Sequence, residues 1–121
     1  MNSLQISTLN FSDTLWSLSI ALKKFDSSPK SKDTLLQALH KVIYDSVALS
    51  CKYEDDNVTE TFTPPIIYAC EAYLDEFIEI SNQEGNDRSL SKVRATKQLV
   101  SRMTRMVAAF QQLVDNICSQ N

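Results

Sequence analysis

The sequence predicts an all-α fold, an antiparallel up-and-down four-helix bundle that occupies residues 1–121 as a single domain. Glycine occurs only once, at Gly85, whereas tight hairpins and sandwich folds need glycine wherever the backbone turns with positive φ. Apolar residues recur at helical spacing in four stretches. Most connections between these stretches are short, which favours antiparallel neighbours. With 121 residues, of which 43% are hydrophobic, the chain can bury one core without metal ions or disulfide bonds.

The first helix is expected over about residues 10–26. Its main apolar stripe advances in heptad-like steps and consists of Leu4, Phe11, Leu15, Leu18, Leu22 and Phe25. Asn10 or Ser12 can cap its start, which leaves residues 1–9 as an arm or as a continuation of the helix. If this stripe is not used inside the protein, it favours self-association as a homodimer.

The same helix carries a second apolar face. Leu9, Trp16 and Ile20 lie together, about 140° from the main stripe at about 100° per residue. A helix with two apolar faces is either central in its bundle or keeps one face for a partner. We expect the central position, and we retain Trp16 and Ile20 as a candidate apolar anchor for a partner protein.

The second helix is expected over about residues 31–53. Pro29 ends the preceding helix, because the residue before a proline disfavours helical dihedral angles. Ser31 is then the expected N-cap, since its side-chain oxygen can accept a hydrogen bond from a backbone N–H of the first turn.

The third helix is expected over about residues 64–83. Thr63 is its expected N-cap, because Pro64 suits the first helical position, where no N–H is needed. Gly85 is a natural stop after its end. The acidic linker 54–63 that precedes this helix is long for a bundle turn, and we expect it to be mobile or to bind a ligand.

The fourth helix, expected over about residues 88–119, has the clearest apolar stripe of the four. Its opposite face is basic and carries Arg94, Lys97, Arg102 and Arg105. No acid occurs among the six basic residues between Arg88 and Val114, whereas ten acids and no Lys or Arg occur from Tyr53 to Asp87. This segregation of charge needs a physical explanation.

Three explanations for the segregated charges are open. The third and fourth helices are expected to be antiparallel neighbours, so ion pairs between their flanks can help to select the correct pairing. The basic face can instead dock another protein. It can also follow the phosphate backbone of a nucleic acid, although a net charge of −3 and the lack of aromatic residues among the basic ones argue against this. A membrane surface is least favoured, because the core needs the apolar stripe of this helix.

The sequence lacks the residue patterns that support catalysis, a cofactor or a metal ion. A single glycine excludes the dinucleotide-binding and phosphate-loop motifs, so we expect no cofactor. The lone histidine, His40, and three widely spaced cysteines do not make a zinc site with the usual ligand spacing. We therefore expect a protein that is not an enzyme and that keeps its thiols reduced in or near a helical core.

These patterns favour a non-enzymatic intracellular protein–protein interaction module, or a small subunit or adaptor of a multiprotein assembly. The expected contact surface is the basic face of the fourth helix together with the anchor Trp16 and Ile20, because aromatic residues and arginines supply most binding energy at interfaces. The alternative is a nucleic-acid-binding module that uses the same basic face. No stretch reaches the roughly 20 apolar residues of a membrane span. The first residues lack the features of a signal peptide, so a cytoplasmic location is expected, with the nucleus as the alternative.

Overall fold

The computed structural model of the chain describes residues 3–54, 56–86 and 88–119, without the side chain of Val58. These residues form four helices and no strand: α1 (Ser3–Lys23), α2 (Pro29–Lys52), α3 (Asn57–Ser81) and α4 (Leu90–Cys118). Within this part of the chain, α1 and α3 each pack against both α2 and α4, and the diagonal pairs do not pack together. The predicted all-α four-helix bundle is confirmed.

Hydrogen bonds between helices show that consecutive helices run in opposite directions. The hydroxyl of Tyr53, just after α2, lies 2.7 Å from the Ser3 Oγ and 3.1 Å from the Ser7 Oγ at the start of α1. The Lys32 ammonium, near the start of α2, donates to the Ser81 Oγ at the end of α3 over 2.7 Å. The connections are short, so this antiparallel arrangement follows from their length.

Every helix contributes large side chains to one core. Those with no more than 2% of their surface exposed include Leu15, Leu18, Leu35, Leu39, Val42, Phe62, Ile66, Phe77, Leu99, Met103 and Val114. The heptad-like stripe of α1 is used inside this core, because Phe11 and Leu22 are also almost completely buried. A homodimer through that stripe was expected only if the stripe were not used inside the protein, and this condition is not met.

The first two helices begin earlier than the sequence predicts. α1 begins at Ser3, so the described residues before Asn10 continue the helix, and Thr8 is fully buried there. The N-cap of α2 is Ser28 and not Ser31, because the Ser28 Oγ accepts the Ser31 N–H at 3.1 Å. Pro29 then occupies the first helical position. Its fixed φ suits the helix there, and its missing N–H removes no hydrogen bond within the helix.

The third helix also begins earlier, at Asn57, so the expected linker 54–63 and the expected N-cap at Thr63 are wrong. The Asp56 carboxylate accepts the Thr59 N–H at 3.2 Å, and the Asp56 carbonyl accepts the Glu60 N–H at 3.1 Å. This is N-cap geometry, so the helix starts before the prolines. Asp55 in the same segment lies outside the described residues.

Pro64 and Pro65 therefore lie inside α3. A proline in a helix interior costs about 3 kcal/mol, because its missing N–H removes a hydrogen bond and its ring crowds the preceding turn. Phe62 and Ile66 flank the pair and are fully buried, and Phe62 packs against Phe11 with the ring centroids 6.1 Å apart. Burial of these side chains offsets the cost, because each fully buried large apolar residue contributes about 1.5–3 kcal/mol.

The last helix matches the sequence closely. α4 starts at Leu90, two residues after the expected start, and ends at Cys118, one residue before the expected end. The connection that precedes it contains Gly85 with φ 101°, a backbone conformation that side chains with a Cβ rarely adopt.

Candidate partner-binding surface

Three of the four predicted cations of α4 form an outward-facing group, which we call the basic face. Arg94, Lys97 and Arg105 are exposed, on the side of α4 opposite the buried Leu99 and Met103. Among the described residues, no carboxylate lies within 4 Å of any of these three cations. Their charge is therefore directed to solvent.

The fourth cation, Arg102, has a different role. It lies on the flank of α4 that faces α3, where its two guanidinium nitrogens donate to the two carboxylate oxygens of Glu76 at 3.1 and 3.2 Å. Both side chains are more than a third exposed, so the pair contributes no more than about 1 kcal/mol. Ion pairing between helices accounts for Arg102 but not for the basic face.

An apolar depression adjoins the basic face. It has a volume of about 330 Å³ and is lined by Leu90, Val93, Arg94 and Lys97, among others. Leu90 is 71% exposed although it is a large aliphatic residue. The sequence contains the corresponding pattern, since Leu90 precedes Arg94 by four residues and so shares its face. The cations of the basic face therefore lie beside an exposed apolar surface that includes Leu90.

The aromatic anchor candidate lies on α1. Trp16 is 53% exposed and Leu9 is 40% exposed, so the described residues leave the second apolar face of α1 uncovered. The expected central position of this helix is wrong, because in the bundle α1 has two neighbours and keeps an outer side. The Lys23 ammonium lies 5.5 Å from the centroid of the Trp16 ring, a cation–π distance.

The other anchor candidate, Ile20, does not share a surface with the basic face. It lines a groove of about 700 Å³ between α1 and α2, together with Ala21 and Ala38. Trp16 does not line this groove. The structure therefore divides the six predicted contact residues into the basic face, the pair of Arg102 with Glu76, and the neighbouring positions Trp16 and Ile20 on α1.

The cysteines and the histidine are not brought together as reactive groups. All three cysteines are free thiols. Burial raises the pKa of Cys70 to about 12 and also raises the pKa of Cys118, so the reactive thiolate form is disfavoured at both. His40 is exposed on α2, whereas Cys70 is buried in the core. In the described part of the chain, no three His, Cys, Asp or Glu side chains are arranged to hold a metal ion.

The sequence groups Lys92 with the other basic residues of α4, but the structure separates it from them. Lys92 is only 5% exposed, and its ammonium donates to the Ser81 carbonyl at 3.2 Å. A pattern for this exists in the sequence, because Lys92 precedes Leu99 by seven residues and therefore lies on the apolar stripe.

No helix among the described residues has the length and the apolar content required to cross a bilayer. Comparisons with models of protein families, with curated proteins and with solved structures give no match for this chain. The interpretation of the surface therefore depends on its geometry and charge.

Proposed function

We propose that this protein is a non-enzymatic protein-interaction module, a small subunit or adaptor of an assembly, that binds an acidic segment of another protein through the basic face of α4. The observation that carries the proposal is that Arg94, Lys97 and Arg105 have no carboxylate partner among the described residues, although α3 beside them is rich in acids. Cations that are not neutralised within the molecule can steer and orient a partner of opposite charge.

The chemistry of the surface defines the partner segment. Its carboxylates would pair with Arg94 and Arg105, and arginine is suited to this because its planar guanidinium binds a carboxylate through two parallel hydrogen bonds. An aliphatic or aromatic side chain would occupy the depression beside Leu90. We therefore propose a partner segment that alternates acidic and apolar residues.

Nucleic acid is the less favoured partner for the same face. The exposed acids Glu71, Asp75 and Glu79 on the neighbouring α3 would repel phosphates that approach the bundle, and the chain as a whole carries a net charge of −3. The proposed location is the cytoplasm or the nucleus, where the glutathione pool keeps thiols such as the three free cysteines reduced.

The test is affinity capture from cell lysate with the wild type and with the Arg94→Glu/Arg105→Glu variant, followed by identification of retained proteins by mass spectrometry. A protein retained only by the wild type is then purified and titrated against both forms. We expect the variant to bind it at least about tenfold more weakly, and the wild-type affinity to fall as salt is raised.

The matched control is Lys24→Glu/Lys30→Glu, which reverses two exposed charges at the α1–α2 groove, away from the basic face. It should bind like the wild type. Thermal melts must show all three forms folded. Equal retention by the wild type and the Arg94→Glu/Arg105→Glu variant would refute the proposal. Retardation of a labelled oligonucleotide at about 50 mM salt that is lost at about 200 mM would favour the nucleic-acid alternative.

A further inference from the structure

The side of the bundle that α3 and α4 form together carries acids on one helix and cations on the other. We call it the α3–α4 side, and the ion pair of Arg102 with Glu76 lies on it, where the flanks of the two helices meet. Arg105 follows Arg102 by three residues, Glu79 follows Glu76 by three, and Asp75 precedes Glu79 by four. Residues at these spacings are neighbours on a helix surface. Asp75, Glu79 and Arg105 are exposed, so they extend the charged surface outwards from the ion pair.

The outer charges of this side are not neutralised within the described part of the chain. In that part, no cation lies within 4 Å of the carboxylate of Asp75 or Glu79, and no carboxylate lies within 4 Å of Arg105. Burial raises the pKa of Tyr73 on α3, and the charge of Arg105 opposes this, so Arg105 lies near α3. A surface with acids on one half and cations on the other is complementary to a second copy of itself.

A twofold axis parallel to the helices brings the complementary halves together. Rotation by 180° about such an axis places α3 of the second copy over α4 of the first, and α4 of the second copy over α3 of the first. This rotation leaves the height of each residue along the helices unchanged. The register of α3 and α4 within one copy therefore decides which residues of the two copies meet.

Two contacts define this register. Glu76 pairs with Arg102, and the Tyr73 hydroxyl lies 3.5 Å from the Met106 Sδ. Each contact joins two residues at nearly the same height. Because α3 and α4 run in opposite directions, one residue forward along α3 corresponds to one residue back along α4, and each residue advances the height by about 1.5 Å.

This register brings opposite charges of two copies to similar heights. Asp75 is one residue from Glu76, and Arg105 is three residues from Arg102 in the same direction, so the heights of Asp75 and Arg105 differ by only about 3 Å. The height of Glu79 differs from that of Arg102 by about 5 Å. Side chains lean towards the N-terminus of their helix, which brings both arginines closer to these acids.

We propose that the α3–α4 side is the interface of a twofold homodimer, in which Arg105 of each copy pairs with Asp75 of the other and Arg102 of each copy reaches Glu79 of the other. This dimer goes beyond the proposed function. It uses Arg105 of the basic face, so a second copy and the acidic segment of another protein would compete for that residue.

An apolar contact adjoins these ion pairs. Tyr68 precedes Asp75 by seven residues and Leu113 follows Met106 by seven, so both lie on the α3–α4 side. Tyr68 is 74% exposed and Leu113 is 36% exposed. Their heights differ by about 5 Å, so each Tyr68 ring can cover Leu113 of the other copy. The aromatic ring adds apolar burial to an interface that is otherwise charged.

The test is the mass of the full chain in solution, measured by sedimentation equilibrium as a function of protein concentration. We expect a single transition from the 13.7 kDa monomer to a species of twice that mass, and we expect the dimer to weaken as salt is raised. Arg105→Asp and Asp75→Arg should each weaken dimerisation by at least about tenfold, because each places like charges opposite each other at two symmetric contacts.

An equimolar mixture of the two variants tests the pairing itself. Its heterodimer has opposite charges at both contacts, so the mixture should dimerise to within about fivefold of the wild-type affinity although neither variant does so alone. Lys97→Asp is the matched control. It changes the net charge as Arg105→Asp does and lies on the same helix, but it is turned about 80° from Arg105, so it should dimerise like the wild type. Thermal melts must show every variant folded.

The dimer is refuted if the wild type stays at 13.7 kDa up to about 500 µM protein. It is also refuted if Asp75→Arg dimerises like the wild type, if the mixture does not recover the dimer, or if species larger than the dimer form. None of these outcomes refutes the proposed function, because Asp75 lies outside the basic face and capture of another protein is measured separately with Arg94→Glu/Arg105→Glu.

Discussion

Replacement of Phe62 by alanine tests whether residues 57–63 are part of the helical core or belong to a linker. The Phe62 side chain is fully buried, and its ring centroid lies 6.1 Å from that of Phe11 at an interplanar angle of 47°. Truncation of a buried phenylalanine lowers the free energy of unfolding by about 3–5 kcal/mol. The lost aromatic pair accounts for about 0.5–1.5 kcal/mol of this change.

Such a loss is large but does not have to unfold the protein, because domains of this size have free energies of unfolding of about 5–15 kcal/mol. We expect the melting temperature of Phe62→Ala to fall by roughly 10–20 °C. Urea titration followed by circular dichroism at 222 nm gives the free energy directly, provided that the slope of the transition is unchanged.

Tyr68→Ala is the matched control, because Tyr68 lies on the same helix and is 74% exposed. Its free energy of unfolding should stay within about 0.5 kcal/mol of the wild type. If Phe62→Ala also changed the free energy by less than about 1 kcal/mol, the early start of α3 and the burial of Phe62 would be refuted, and the segment would be a linker after all.

Two further predictions concern a buried hydroxyl and the thiols. The Thr59 Oγ1 is buried without a hydrogen-bond partner. Thr59→Val should therefore raise the free energy of unfolding by about 1 kcal/mol in the same urea titration. A decrease would show that this hydroxyl makes a hydrogen bond in solution. Cys51 is exposed, whereas burial raises the pKa of Cys70 to about 12. A disulfide reagent at pH 8 should therefore modify Cys51 first and reach Cys70 only on unfolding, and equal rates at the two, read by mass spectrometry, would contradict the burial of Cys70.

Local sequence patterns predicted some parts of the fold well and others poorly. The apolar stripe of α4 located that helix to within two residues, because its periodicity is uninterrupted over many turns. The start of α3 was missed, because Pro64 and Pro65 ordinarily mark the beginning of a helix. Two prolines can lie inside a helix if enough apolar surface of the preceding turn is buried. Here that surface belongs to Phe62, which packs against Phe11 of another helix.

Composition and periodicity along the chain are enough to predict the helical class, the apolar faces and the separation of acidic from basic residues. The role of each cation, in contrast, depends on how the helices pack. Arg102 pairs with Glu76, the basic face remains open to solvent, and Lys92 is buried and donates to the Ser81 carbonyl at the end of α3. Electrostatic interactions and burial depend on which helices are neighbours and on their register, because residues far apart in the chain are brought together only by packing.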